Sequence, residues 1–233
     1  MRAAETGAAG GQPSAAPDPA PPARELPLTE RGMRTRAALI AAARTVFETK
    51  GFLDARLIDI TTEAQCAAGT FYTYFSSKEE IFAAVLEQAK EDMLHPGTER
   101  VDADSDPVAI ITASNRAYLE AYRRNAKLMG LMEQVASIDP GFRELRERRG
   151  NAFVERNARS IADLQRRGLA DTGLDPLLAA RALSGMISRL AFEYFVTGSY
   201  VAAGGAQEQY GFDELVQTAS RLWTNALQIP RAG

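Results

Sequence analysis

Residues 67–82 read Ala67-Ala68-Gly69-Thr70-Phe71-Tyr72-Thr73-Tyr74-Phe75-Ser76-Ser77-Lys78-Glu79-Glu80-Ile81-Phe82, and the fold follows from how that run divides. Phe71 and Phe75 stand one helical turn apart, which turns both rings to one side. The remaining positions, Ala68, Gly69, Thr70, Tyr72, Thr73 and Tyr74, are small residues, hydroxyls and phenols. Ser76 and Ser77, each with a glutamate three positions on, form two overlapping capping boxes, so a new helix opens there. The pattern predicts a short helix over about 67–74, preceded by another over about 57–64. Helices this short are not stable alone. Ile60, Ala64, Phe71 and Phe75 must therefore rest on longer neighbours.

The neighbours are legible on both sides. From Thr29 a first helix places Leu39, Ile40, Ala43, Val46 and Phe47 on one face, with Gly51 after Lys50 where a left-handed cap residue belongs. The helix over 76–94 carries Ile81, Phe82, Val85, Leu86, Ala89 and Met93 and stops before Pro96-Gly97. Beyond an acidic loop at 102–106, Asp106-Pro107, Asp139-Pro140 and Asp175-Pro176 repeat one start signal, a capping carboxylate before a proline suited to the first helical position. They open helices over about 107–122, 140–167 and 176–197, with shorter ones near 125–136 and 212–228. No alternating apolar run leads into a hairpin turn. The expected fold is all-α, about nine helices: an N-terminal helix-turn-helix bundle of three, then a larger helical domain.

A short helix packed behind a tight turn, with an outward row of hydroxyls, is how a helix-turn-helix offers its second helix to the DNA major groove. The run Gly51-Phe52, Asp59-Ile60 and Gly69-Thr70-Phe71-Tyr72-Thr73-Tyr74-Phe75-Ser76-Ser77-Lys78-Glu79-Glu80-Ile81-Phe82 resembles the DNA-binding domain of the TetR/AcrR family of bacterial transcriptional regulators. The resemblance covers about 34–82. It implies that Ala68, Gly69 and Thr73 face bases, that Thr70, Tyr72 and Tyr74 meet phosphates, and that Lys78 reaches a phosphate from the start of the fourth helix. Arg34 joins them from a basic arm, Arg24 to Arg36, which reads equally as a solvated linker. The chain departs from the family at Gln65, where glycine is usual, and at Arg56, where a hydroxyl is usual. Arg56 reads either as a charged phosphate contact or as an exposed arginine. Ala67 and Ala68 replace polar residues, so methyl contact, Thr73 and DNA shape are expected to carry more of the specificity.

The divisions expected are an Ala/Pro/Gly-rich disordered tail with a basic arm over 1–30, the DNA-binding domain over 31–78, and a ligand-binding and dimerisation domain over 79–233, with the helix at 76–94 as connector. The tail holds eight Ala, five Pro and three Gly in its first 23 positions and no continuous apolar stretch of an export signal. The family resemblance implies an inducer pocket among Tyr118, Tyr122, Leu128, Met129, Met132, Phe153, Met186 and Phe195, residues that read equally as core. It also implies a dimer interface through the last two helices at Leu183, Ile187, Leu190, Leu215, Leu222 and Trp223, residues that could instead complete a monomer core. Residues 143–167 hold eight arginines against four acids, a solvated face or a hold for the phosphates of an acyl-CoA-like ligand.

Scarce residues exclude most other chemistry. With one cysteine, Cys66, and one histidine, His95, the 233-residue chain has no intramolecular disulfide, no paired imidazole ligands and no CxxC metal site. His95, beside Pro96-Gly97, reads as a helix-end residue rather than a catalytic base. No apolar run is long enough to span a bilayer. A net charge of −3 gives the chain no bulk affinity for nucleic acid, so DNA binding needs a local surface. The expectation is a cytoplasmic, homodimeric regulator without enzyme activity, cofactor, metal or membrane partner. It would be a repressor released from a palindromic double-stranded operator by a small hydrophobic effector. The alternatives are an effector-independent DNA-binding regulator and a helical carrier or enzyme that reuses the N-terminal bundle.

Overall fold

A computed structural model of the chain describes residues 29–95, 106–199 and 210–230. The expected tail over 1–28, the Pro96-Gly97 stop and the acidic positions 102–105 lie outside them. Every regular element among the described residues is helical.

α1 spans Glu30–Asp54, and the Thr29 hydroxyl caps it by accepting from the Gly32 N–H at 3.1 Å. Gly51 takes the positive φ expected of it and interrupts the helix. At φ 79° it kinks the chain, which regains helical form as far as Asp54 and thereby folds Phe52 into the core. α2 (Leu57–Glu63) and α3 (Ala68–Tyr74) follow, and Gln65 between them takes φ 53°. A glutamine there bears the left-handed strain that glycine would avoid. α4 (Lys78–Leu94) starts as the serines predict: Ser77 Oγ accepts from the Glu80 N–H at 3.2 Å, and Glu80 accepts from Ser76 N–H and Oγ, both at 2.6 Å.

The three Asp-Pro signals open α5 (Pro107–Arg124), α7 (Pro140–Arg166) and α8 (Pro176–Phe192), each aspartate accepting from a first-turn N–H. α6 (Ala126–Ile138) sits between the first two, and α9 (Phe212–Ala226) closes the order. α8 does not run straight to 197. Its last turn widens to a π-helical one over Glu193–Thr197, ended by Gly198 at φ 65°. Close packing lies beside it: a Cβ on Gly130 of α6 would stand 2.9 Å from Val196 Cγ1.

Two apolar cores organise these helices. One joins the short helices to α1 and α4 and runs on into α5, α6 and the start of α7. In it the rings of Phe47 and Phe82 meet edge to face at 4.9 Å, and Phe142 from α7 reaches the same group, 5.3 Å from Phe82 and 5.9 Å from Phe52. Phe142 thus fastens the C-terminal helices directly to the bundle that carries α3. The other core gathers Ile111, Val154, Ile161, Leu183, Trp223 and Leu227 between α5, α7, α8 and α9.

Candidate nucleic-acid interface

α3 is held by its inward rings. Phe71 and Phe75 are buried to 0% and 1% exposure, which leaves Ala67, Ala68, Gly69, Tyr72 and Thr73 exposed on one short helix, with Thr70 and Tyr74 half-buried at its edges. Tyr72 stands edge-on to Phe71 with ring centres 5.6 Å apart, and Tyr74 packs partly against the core. The Thr73 hydroxyl donates to the Gly69 carbonyl at 3.2 Å and keeps its lone pairs for an outside donor. Gly69 is the informative residue. A Cβ there would meet nothing within 4 Å, and its backbone is ordinary helix. Glycine costs a helix at most roughly 1 kcal/mol against alanine, and no atom of the fold claims the space beside this first-turn position.

The support beneath α3 is ionic as well as apolar. Lys50 of α1 pairs with Asp59 of α2 at 2.7 Å, and the same carboxylate accepts from the Arg56 N–H at 3.0 Å. These two donors, Lys50 first, hold the Asp59 carboxyl below its ordinary range. Arg56 itself is exposed at the start of α2. Arg34 is exposed on α1 and pairs with Glu30 at 2.7 Å, while Arg36 lies 5.1 Å over the Phe75 ring. Arg36 belongs to the expected basic arm, and its contact with Phe75 arises because the fold brings the first turns of α1 above that ring.

Lys78 corrects an expectation. Its Nζ donates to the carbonyls of Phe52 (2.8 Å), Leu53 (3.2 Å) and Ala55 (3.1 Å) and lies 4.6 Å over the Phe52 ring. The ammonium is thereby engaged at the α1–α2 junction rather than directed outward. The contact to Ala55 brings the start of α2, with its exposed Arg56, beside the N-terminus of α4. The positive charge facing outward at that corner is Arg56.

The C-terminal helices border a half-open cavity of about 1330 Å³ between the last turn of α4 and α5, α7, α8 and the end of α9. Of the expected pocket residues, Tyr118 and Phe153 line it. Tyr122, Leu128, Met129 and Met132 are buried in the first core, Phe195 packs on that core and Met186 on the second, so these six fill space rather than border it. Burial raises the phenols of Tyr118 and Tyr122 above the ordinary tyrosine range. Of the residues expected at a dimer interface, Leu183, Ile187, Leu215 and Trp223 are buried within the chain itself and Leu190 is half-buried, leaving Leu222 exposed at 48%. That stripe faces α5 and α7. Among the described residues no helix is long and apolar enough to cross a membrane, and no group of three or more His, Cys, Asp or Glu could hold a metal ion.

An α3 presented in this way on a packed α2 is the reading head of a helix-turn-helix DNA-binding protein. Residues 39–85 match the family model described as bacterial regulatory proteins, tetR family. The chain is 25% identical over 178 residues to the HTH-type transcriptional regulator YdgC of Bacillus subtilis, covering 73% of this chain and 86% of that one. A Rhodococcus sp. protein described as a TetR-family transcriptional regulator shares the fold at TM-score 0.69 and 17% identity, over 84% of this chain and 99% of its own. The fatty acid degradation regulator FadR of Bacillus halodurans does so at TM-score 0.64 and 16% identity, over 84% and 97%. Residues 39–85 thus match the tetR family model, and the chain is similar in sequence and fold to HTH-type and TetR-family transcriptional regulators.

Proposed function

We propose that the protein is a cytoplasmic homodimeric repressor that binds a near-palindromic operator through α3 and leaves it when a small hydrophobic molecule occupies the cavity. In this reading residues 31–78 read DNA, 79–233 sense and pair, and α4 connects them. The observation that carries the DNA reading is Gly69, a first-turn glycine with open space beside it on the exposed face of a well-supported helix. A DNA backbone or base edge approaching closely needs that space. Thr70, Tyr72 and Tyr74 supply neutral donors for phosphates, Arg34 and Arg56 the charges, and Ala68, Gly69 and Thr73 the face toward the bases. Small reading heads gain affinity by pairing, two heads one DNA turn apart, about 34 to 36 Å. The surface offered for that pairing is the outer side of α8 and α9, where Leu178 is 68% and Leu222 48% exposed. Burying such residues against a second copy removes apolar surface that a lone chain leaves in water.

Release follows as a population shift. An effector that binds better to a conformer with wrongly spaced heads lowers operator affinity by that differential, and a usable switch needs about 1 to 3 kcal/mol of it. That the neighbour from Bacillus halodurans is described as a fatty acid degradation regulator favours an acyl-bearing molecule among apolar candidates.

Gly69→Ala tests the DNA reading. The variant is expected to unfold at a higher temperature, by up to the roughly 1 kcal/mol that alanine adds to a helix, yet to bind operator DNA at least tenfold more weakly in mobility shifts. Equal or tighter binding by the variant would remove α3 from the interface.

A further inference from the structure

The charge around the cavity says more than its volume. α7 sends two guanidinium groups to one side from positions two turns apart, Arg149 and Arg156. Arg149 is only 6% exposed, and the acceptors it finds are thioether sulfurs: Met129 Sδ at 2.6 Å, Met93 Sδ at 2.7 Å and Met132 Sδ at 3.7 Å. Arg156 donates to the Leu94 carbonyl at 2.8 Å and to Asn157 Oδ1 at 3.4 Å, and lies 5.6 Å over the Phe153 ring. Among the described residues neither arginine has a carboxylate within ion-pair distance. Glu87, the acid whose charge Arg149 feels, pairs with Lys90 instead.

Thioethers and single carbonyls are poor company for a buried cation, because they return little of the hydration it has lost. Burial accordingly pushes both guanidinium groups below the usual arginine range. A buried cation without a carboxylate partner is costly unless something anionic joins it. Arg156, Met93 and Phe153 all border the cavity, and its rim adds Arg159, Arg167 and Arg181 against Glu147 and Asp163. The walls also carry Ile111, Tyr118, Val154 and Trp223, beside the polar Asn115, Asn157, Ser184 and Ser188.

We propose that the cavity takes an amphipathic anion whose acidic head pairs with Arg156, with Arg149 reached across Met93, and whose apolar body lies against Ile111, Phe153 and Trp223. The head is a carboxylate or a phosphate, since both match the planar guanidinium fork. This rests on the cavity being the effector site and adds the charge of the effector and the residue that selects for it. It also supplies a route outward. Arg156 holds the carbonyl of Leu94 in the last turn of α4, and a head that draws the guanidinium away loosens the far end of the helix whose first turn anchors the α1–α2 junction through Lys78.

Trp223, the only tryptophan in the chain, lines the cavity and gives the readout. Its emission and the thermal midpoint of the full-length protein would be followed during titration with dodecanoate, dodecanoyl-CoA and dodecanol. At least one anion is expected to bind about thirtyfold or more tightly than the alcohol, with Arg156→Met abolishing that preference and Arg156→Lys keeping part of it. Dodecanoate as the tighter ligand identifies a carboxylate head, and the thioester a phosphate-bearing one. If alcohol and anions bind equally to the wild-type protein, or Arg156→Met keeps the preference, the head site is wrong while the effector cavity stands. If none of the three changes emission or midpoint, the effector reading falls and the head site with it.

Discussion

Lys78 illustrates how a residue can keep its place in a pattern and change its job. Its three carbonyl contacts tie the first turn of α4 to the end of α1, so Lys78→Met should destabilise the protein by about 2 kcal/mol in urea unfolding, the scale of hydrogen bonds to a charged group. A loss of DNA affinity without any loss of stability would return Lys78 to the phosphate surface. The sequence offered its basic charge at a helix start, which suits an anion. It did not offer the carbonyls, because they are freed only where Gly51 breaks α1 three residues short of its end. Asp59 carries the pH dependence of the same corner. Its carboxyl is held below the ordinary range when folded, so its contribution is full above the unfolded value, about 3.9, and disappears as pH falls through the lowered folded value. Stability measured from about pH 6 down to about pH 2 should fall less steeply below pH 4 in Asp59→Asn than in the wild-type protein. Identical slopes would show that Lys50 does nothing for Asp59.

At the scale of elements, one ring joins the start of α7 to the core of the reading bundle. Phe142 is 6% exposed among Phe52 and Phe82, and its position follows directly from the Asp139-Pro140 start, two residues into the helix. Phe142→Ala should cost about 3 to 5 kcal/mol in chemical denaturation, as for other buried rings, and leave operator binding in the surviving folded protein less sensitive to any effector. A cost below about 1 kcal/mol would mean that the two halves are joined elsewhere. The helices themselves were readable from capping chemistry: the serines before α4 and the Asp-Pro pairs before α5, α7 and α8 all act as their residue types dictate. Which stripe of a helix faces inward was less readable on α8 and α9. Leu183, Ile187, Leu215 and Trp223 make an apolar line that serves a dimer or a monomer core equally well on a helical wheel, and the packing of α5 and α7 against it decides for the core. The same holds in reverse for α7, whose arginines look solvated by composition. Arg149 and Arg156 share the spacing of Phe142 and Phe153, and that shared stripe is the signal that two of the charges turn inward.

For the whole molecule, a net charge of −3 means that DNA affinity must come from a small surface used twice, not from the charge of the chain. The candidate surface was legible in outline, since Phe71 and Phe75 had to face inward and so fixed what faced out. The cavity was not, because its walls come from helices far apart in sequence and only Tyr118 and Phe153 of its expected lining border it. The direct test of the account is a selection of binding sites by the full-length protein from random duplex DNA, repeated at rising salt. The account predicts enrichment of a near-palindromic site with half-site centres one helical turn apart, bound less tightly as salt rises and lost from the Gly69→Ala protein. Enrichment of no sequence, or of the same site with equal strength by Gly69→Ala, would contradict it.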